Sequence, residues 1–278
     1  MKRALWACIL CLALLALTGG TPPMTTKPIG APDYQRTMVL LDPENIWRSQ
    51  NTIGLTEAAA RLGCVSKYER RGNVLLVDEF QNGINAWTTS VDGTGSSVKL
   101  TAAGVLDGSY AALLTTGSDG FLEATIYTYF ALLDLSYPMG LETAYKWAAD
   151  AGDYMMLSMI MYDGTTRYSY TIKIDRDDGR LRVRQEPATD TQFALLGYSQ
   201  AAGWYYHRIK LVIDHGNHKY LRLYYDENEY DLSAYVPDEA AQATPPRVRL
   251  VLSFFGTAAQ NDAATVNHVI LTTNEPTI

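Results

Sequence analysis

The stretch from Trp204 to Asp231 sets the tightest limit on what this chain can fold into. It reads as two long strands around a polar turn at Gly216-Asn217. Successive side chains on a strand point to opposite sides. Along the first strand, Tyr205, Ile209, Leu211 and Ile213 therefore share one face, and Trp204, Tyr206, Arg208 and Lys210 share the other. The second strand repeats the pattern, with Leu221, Leu223 and Tyr225 opposed to Tyr220, Arg222 and Tyr224. One face suits a core. The other is aromatic and basic on a chain whose net charge is −7.

The rest of the sequence agrees with strands. The 19 tyrosines, 5 Trp and 6 Phe favour a pleated sheet over helices. Turn signals recur at short spacing: Gln81-Asn82-Gly83, Asp163-Gly164 and Asp178-Gly179. Between them lie strand candidates at Asn73–Phe80, Ser97–Thr101, Tyr110–Thr115, Phe121–Phe130, Tyr154–Tyr162, Arg167–Asp175, Arg180–Glu186, Arg247–Phe255 and Thr265–Thr272. Roughly eleven to thirteen short strands point to an all-β, two-sheet antiparallel sandwich. Strands alternate with turns and not with long helices, which argues against a parallel α/β sheet. Tyr154–Tyr162 is almost wholly apolar and reads as a central strand buried on both faces.

The N-terminus is organised differently. Met1-Lys2-Arg3, the apolar run Ala4 to Leu17 and the small residues Thr18-Gly19-Gly20 fit a secretory signal over residues 1–20. A start at Met24 would delete it and leave a cytoplasmic or virion protein. Residues 21–36 form a Pro-rich extended arm. Residues 37–72 read as a lead-in, with a short strand at Thr37–Leu41 and helical turns at Thr56–Leu62, and 73–278 as the sandwich domain. Past the signal only Cys64 remains, so the fold rests on its core and not on disulfides.

The segment Trp204–Asp214, its turn, the strand Tyr220–Tyr225 and the closing Val266–Thr273 together resemble the concanavalin A-like lectin/glucanase superfamily. Leu75–Gly83 with Trp87 is similar to the opening strand of such jelly rolls. The resemblance covers about residues 73–273 and implies a jelly-roll sandwich with a glycan or polysaccharide as partner. A structural calcium held partly by backbone carbonyls is common in such sandwiches and leaves no mark in sequence; no other cofactor is implied. Gly30–Arg36 resembles N-terminal segments of phage virion proteins.

The acidic body argues against nucleic acid as a partner, which would need a basic footprint, and against a membrane once the signal is removed. Glycoside hydrolysis needs two carboxylates at a set separation. Glu227, Glu229 and Asp231 come closest, but their order and flanks differ from the glucanase strand motif, and the turn they occupy suits solvated acids. Polysaccharide lyases of similar fold use a Gln/His/Tyr/Arg set; His207, Tyr206, Arg208, Tyr220 and Arg222 supply the residue types without the motifs. Asp175–Gly179 reads as a hairpin turn and not as a calcium loop. The histidines His207, His215 and His218 are separated along the hairpin, against a zinc trio. Trp87, Trp147 and Trp204 read first as core anchors.

These readings lean away from an enzyme and assign no catalytic or metal residue. They favour a secreted (extracellular or periplasmic) non-catalytic glycan-binding or adhesion protein. Its ligand face is expected to be Trp204, Tyr206, Arg208, Tyr220, Arg222 and Tyr224, because rings stack on sugars while cations bind hydroxyls. Two alternatives stand beside it: a self-associating structural protein of a virion or cell surface, and a polysaccharide hydrolase or lyase of the same fold.

Overall fold

The computed structural model describes residues 72–277 apart from 107, 120–121, 132–135, 149–153, 197–204 and 257–261. The signal, the Pro-rich arm, the expected strand at 37–41, the expected helix at 56–62, Cys64 and Trp204 lie outside the described residues. In chain order the strands are β1 (Asn73–Asp78), β2 (Thr88–Asp92), β3 (Ser97–Thr101), β4 (Ala111–Thr115), β5 (Glu123–Phe130), β6 (Met139–Trp147), β7 (Tyr154–Tyr162) and β8 (Thr166–Asp175). They continue with β9 (Arg180–Gln185), β10 (Thr189–Leu195), β11 (His207–Asp214), β12 (Lys219–Tyr225), β13 (Asn228–Asp231), β14 (Asp238–Ala241), β15 (Arg247–Phe255) and β16 (Ala263–Thr273).

They form two antiparallel sheets of eight strands each. Sheet A runs β13-β12-β11-β6-β16-β4-β3, with β1 also on β16; sheet B runs β10-β9-β8-β7-β15-β5-β2, with β14 also on β8. The sandwich expected from the alternation is therefore what forms. The core lies between the sheets. Sheet A contributes Leu141, Tyr145, Trp147, Ile209, Leu211, Ile213 and Val269, and sheet B contributes Ile126, Leu157, Ile172, Leu250 and Phe254. Each fully buried side chain of this size stabilises the fold by about 1.5–3 kcal/mol. Trp147 meets Phe254 across the interface at 5.4 Å between ring centroids. Trp87 is also core, its indole N–H donating to Asp78 at 2.7 Å. In β7, Met155, Leu157, Met159 and Met161 face the core, while Tyr154, Met156 and Ile160 on the outward side are half-buried. The strand is central but not sealed on both faces.

Strict period two breaks in sheet A. Register shifts between Val266 and His268, so Asn267 bulges and both Val266 and Val269 reach the core. A second shift lies between Val212 and Ile213, where Leu221 has no opposite number. Tyr220 then faces Ile213 while Arg222 faces Val212. The bulge turns Tyr220 inward, against the expected outward phase. Its ring is 0 % exposed and packs on Tyr170 of β8 at 5.3 Å.

Candidate functional site: the outer faces of the two sheets

The outer face of sheet A carries the charges expected from the C-terminal hairpin. Cross-strand pairing lines up Tyr224, Lys210, Glu142 and Ile270 in one row and Arg222, Val212, Gly140 and Thr272 in the next. A third row holds Arg208, Ala144 and His268. The C-terminal segment after β16 crosses this face. Glu275 places an oxygen 2.7 Å from the Lys210 ammonium, both side chains being almost fully buried, and accepts from the Thr272 hydroxyl. Arg222 donates to the Pro276 carbonyl at 2.8 Å. Gly140 lies under the crossing: a Cβ there would meet Thr272 Oγ1 at 2.5 Å and Glu275 Oε1 at 2.8 Å.

The expected ligand residues therefore separate. Tyr220 leaves the face for the core, which corrects its expected position, and Trp204 is outside the described residues. Arg222 is buried and engaged by the tail. Tyr206, Arg208 and Tyr224 stay on the outer side and half-buried. The Tyr206 hydroxyl donates to the Gly104 carbonyl at 2.8 Å, which ties it to the β3–β4 connection, and Lys146 sits 5.2 Å over its ring. Tyr205, expected to face the core, precedes β11 and is 81 % exposed.

His207 does not join this face. Its ring stacks on Tyr225 at 5.6 Å and bonds Asp226 at 2.8 Å. The histidine on the outer side of sheet A is instead His268, fully buried, with neither ring nitrogen hydrogen-bonded. Burial, with a smaller push from the Arg208 charge, lowers its pKa to about 4. The Asn267 bulge hides its phase in the sequence.

Sheet B presents a second face that the sequence reading did not assemble. Among the outward residues of its central strands are four small hydroxylic ones in two neighbouring cross-strand rows, Thr125 of β5 with Ser253 of β15, and Ser158 of β7 with Thr171 of β8, with Met156 and Val251 beside them. They bond one another, Thr125 to Ser253 at 2.6 Å and Ser158 to Thr171 at 2.8 Å. All four are buried although they point away from the core. Rings rise on both sides of these recessed hydroxyls. Tyr154 and Phe255 stack at 4.4 Å on one side, with the Lys173 ammonium 3.6 Å over Tyr154.

On the other side Tyr127, Tyr129 and Tyr162 alternate with two arginines. The Arg249 guanidinium lies 4.0 Å from the Tyr127 ring centre, and that of Arg247 lies 4.2 Å from Tyr129 and 5.3 Å from Tyr162. Tyr127 and Tyr129 meet edge to face at 5.7 Å. The signal was present in sequence as Tyr127-Thr128-Tyr129 and Arg247-Val248-Arg249, each with period two. What sequence lacked was the pairing that sets Tyr129 opposite Arg249. Rings beside hydroxyls can stack on the apolar side of a sugar and bond its edge.

Glu227, Glu229 and Asp231 are exposed around the β12–β13 turn, and Asp175–Gly179 forms the β8–β9 hairpin. Among the described residues no group of three His, Cys, Asp or Glu side chains is placed to hold a metal, and no helix is long and apolar enough to cross a membrane.

No family model and no curated protein sequence matches the chain. Solved structures do. A carbohydrate esterase from the Shiga toxin-encoding bacteriophage phi24B is similar at 14 % identity over 73 % of this chain and 100 % of that one, with a TM-score of 0.51. An endo-β-1,4-glucuronan lyase from the fungus Trichoderma reesei is similar at 13 % identity over 68 % and 92 %, TM-score 0.48. The Emp47p carbohydrate recognition domain is similar at 13 % identity over 69 % and 90 %, TM-score 0.42. What this chain shares with the phage esterase is the fold, a two-sheet antiparallel β-sandwich.

Proposed function

We propose that this protein is a non-catalytic glycan-binding β-sandwich module, secreted by way of residues 1–20, and that its ligand lies on the outer face of sheet B. The observation that carries this reading is the two pairs of recessed hydroxyls with Tyr154 and Phe255 on one side and Tyr127, Tyr129 and Tyr162 on the other. That arrangement offers stacking surfaces and hydrogen-bond partners side by side, as a sugar chain requires. The likeness to a phage carbohydrate esterase supports it, because that protein joins the same fold to carbohydrate chemistry. The sheet A face supports it less, because Arg222 and Lys210 are engaged by the protein's own tail.

Glycan-array screening followed by isothermal titration of the full chain tests the assignment. Tyr127→Ala and Tyr129→Ala are expected to weaken a detected affinity by at least tenfold, about 1.4 kcal/mol each. Tyr206→Ala and Tyr224→Ala are expected to leave it within about twofold. The reverse pattern would return the ligand to sheet A, and an array with no binding would remove the glycan reading.

A further inference from the structure

The geometry points to a glycan bearing anionic groups, read by the paired guanidiniums of Arg247 and Arg249 on sheet B. This inference rests on the glycan-binding reading and adds the ligand's charge to it.

Four other cations on the same sheet have carboxylate partners, while Arg184 of β9 forms no ion pair among the described residues. Arg167 pairs with Asp238 at 3.5 Å, Arg182 with Asp175 at 2.8 Å, Lys173 with Asp175 at 3.5 Å and Arg180 with Asp178 at 3.0 Å. Arg247 and Arg249 have none among the described residues, although the chain holds 30 acidic side chains against 23 basic ones. Their contacts are with ring faces. A ring covers the flat side of a guanidinium and leaves its N–H edge unmatched. The Nε–H of each is buried and without an acceptor.

The two arginines project from the same side of β15, two residues apart, so their Cα atoms repeat at about 7 Å along the strand. Tyr127, Tyr129 and Tyr162 hold the guanidiniums close to their rings. A guanidinium plane, with donors in a rigid fork, matches a carboxylate or sulfate oxygen pair and not a lone hydroxyl. A neutral sugar would leave both charges unmatched next to the stacking surface. An acidic protein partner would meet the same charges, but the recessed hydroxyls of Ser158, Thr171, Thr125 and Ser253 suit a polyhydroxylated chain.

One backbone in three forms tests the inference on the full chain by isothermal titration: a galacturonic acid hexamer, its carboxyl-reduced neutral form, and that neutral form bearing sulfate esters. The acidic hexamer, the sulfated one or both are expected to bind at least tenfold more tightly than the neutral form, with the preference shrinking as salt rises. Arg247→Gln and Arg249→Gln are expected to abolish most of that preference, and thermal unfolding within a few degrees of the parent would show that the fold is intact. Preference for the carboxylated over the sulfated hexamer identifies a uronate ligand, and the reverse a sulfated one. Equal binding of all three forms would overturn the anionic inference and leave the glycan reading standing. Binding of none would overturn both. A preference that survives both substitutions would show that other residues carry it.

Discussion

At the scale of single residues, Tyr220 shows how one side chain can close a gap in the opposite sheet. Along β8, pairing changes from β14, at Thr166–Ser169, to β9, at Ile172–Ile174. Between these two partners the Thr171 N–H lacks a strand neighbour. The Tyr220 hydroxyl, reaching across from sheet A, accepts from that N–H at 2.8 Å and donates to the Arg184 carbonyl at 2.7 Å. Burial holds the phenol protonated by raising its pKa far above the usual 10, so it remains a donor throughout the ordinary pH range. Tyr220→Phe keeps the ring and strands both backbone groups in the core. It is expected to destabilise the protein by about 1–3 kcal/mol, read as a lower urea midpoint at unchanged slope. An unchanged midpoint would mean that the two backbone groups find other partners. Sequence placed Tyr220 with Arg222 and Tyr224 because period two allows nothing else. A bulge adds one residue to one strand only, and nothing in Tyr220-Leu221-Arg222 marks where it falls.

Strands as elements were legible where both faces differed in polarity or both were apolar. Ser97–Thr101, Tyr154–Tyr162 and Arg247–Phe255 form with the expected ends. The β6 strand was not seen, although it sits at the centre of sheet A between β11 and β16. Its sequence, Met139-Gly140-Leu141-Glu142-Thr143-Ala144-Tyr145-Lys146-Trp147, sets a glycine, a glutamate and a lysine on the outward side, as an exposed edge would. The tail explains the choice. Gly140 makes room for Glu275, and Lys210 on the neighbouring strand meets Glu275 across it. This buried pair is an internal closure of sheet A. Glu275→Ala removes the carboxylate 2.7 Å from the buried Lys210 ammonium and is expected to lower stability by about 3–5 kcal/mol. The double variant Lys210→Met/Glu275→Met removes both charges and is expected to recover most of that loss in the same denaturation series. Equal destabilisation by single and double variants would show that packing, and not the uncompensated charge, is what matters there.

Across the whole molecule, the proposed glycan face on sheet B leaves the outer face of sheet A a structural role. On sheet A, Lys210 and Arg222 meet the protein's own tail, while sheet B keeps two arginines on tyrosine rings. The sandwich class followed from the sequence because alternation is a local property. The choice of face did not, since it depends on which strands become neighbours and on a tail more than fifty residues from Arg222 in the chain. Two buried histidines give the fold a response to acid. Burial lowers the pKa of His215 to about 4, where it bonds the Tyr170 hydroxyl at 3.1 Å, and burial with the Arg208 charge lowers that of His268 to about 4. In the unfolded chain both titrate near ~6.5. Between these values the unfolded chain binds more protons than the folded one, so stability rises with pH. It is fully present above about 6.5 and is lost as pH falls toward 4. Asp78 and Asp175, whose pKa values burial raises, take up protons more readily folded than unfolded and oppose this trend at the acid end. At pH 5 the imidazole effect is expected to dominate, at about 1–2 kcal/mol from each histidine. The urea midpoint should therefore drop between pH 7 and pH 5. His268→Leu, which replaces an unbonded ring among buried neighbours, should shrink that drop by roughly half. A drop as large in the variant as in the parent would place the acid response in His215 alone, at the turn joining β11 to β12.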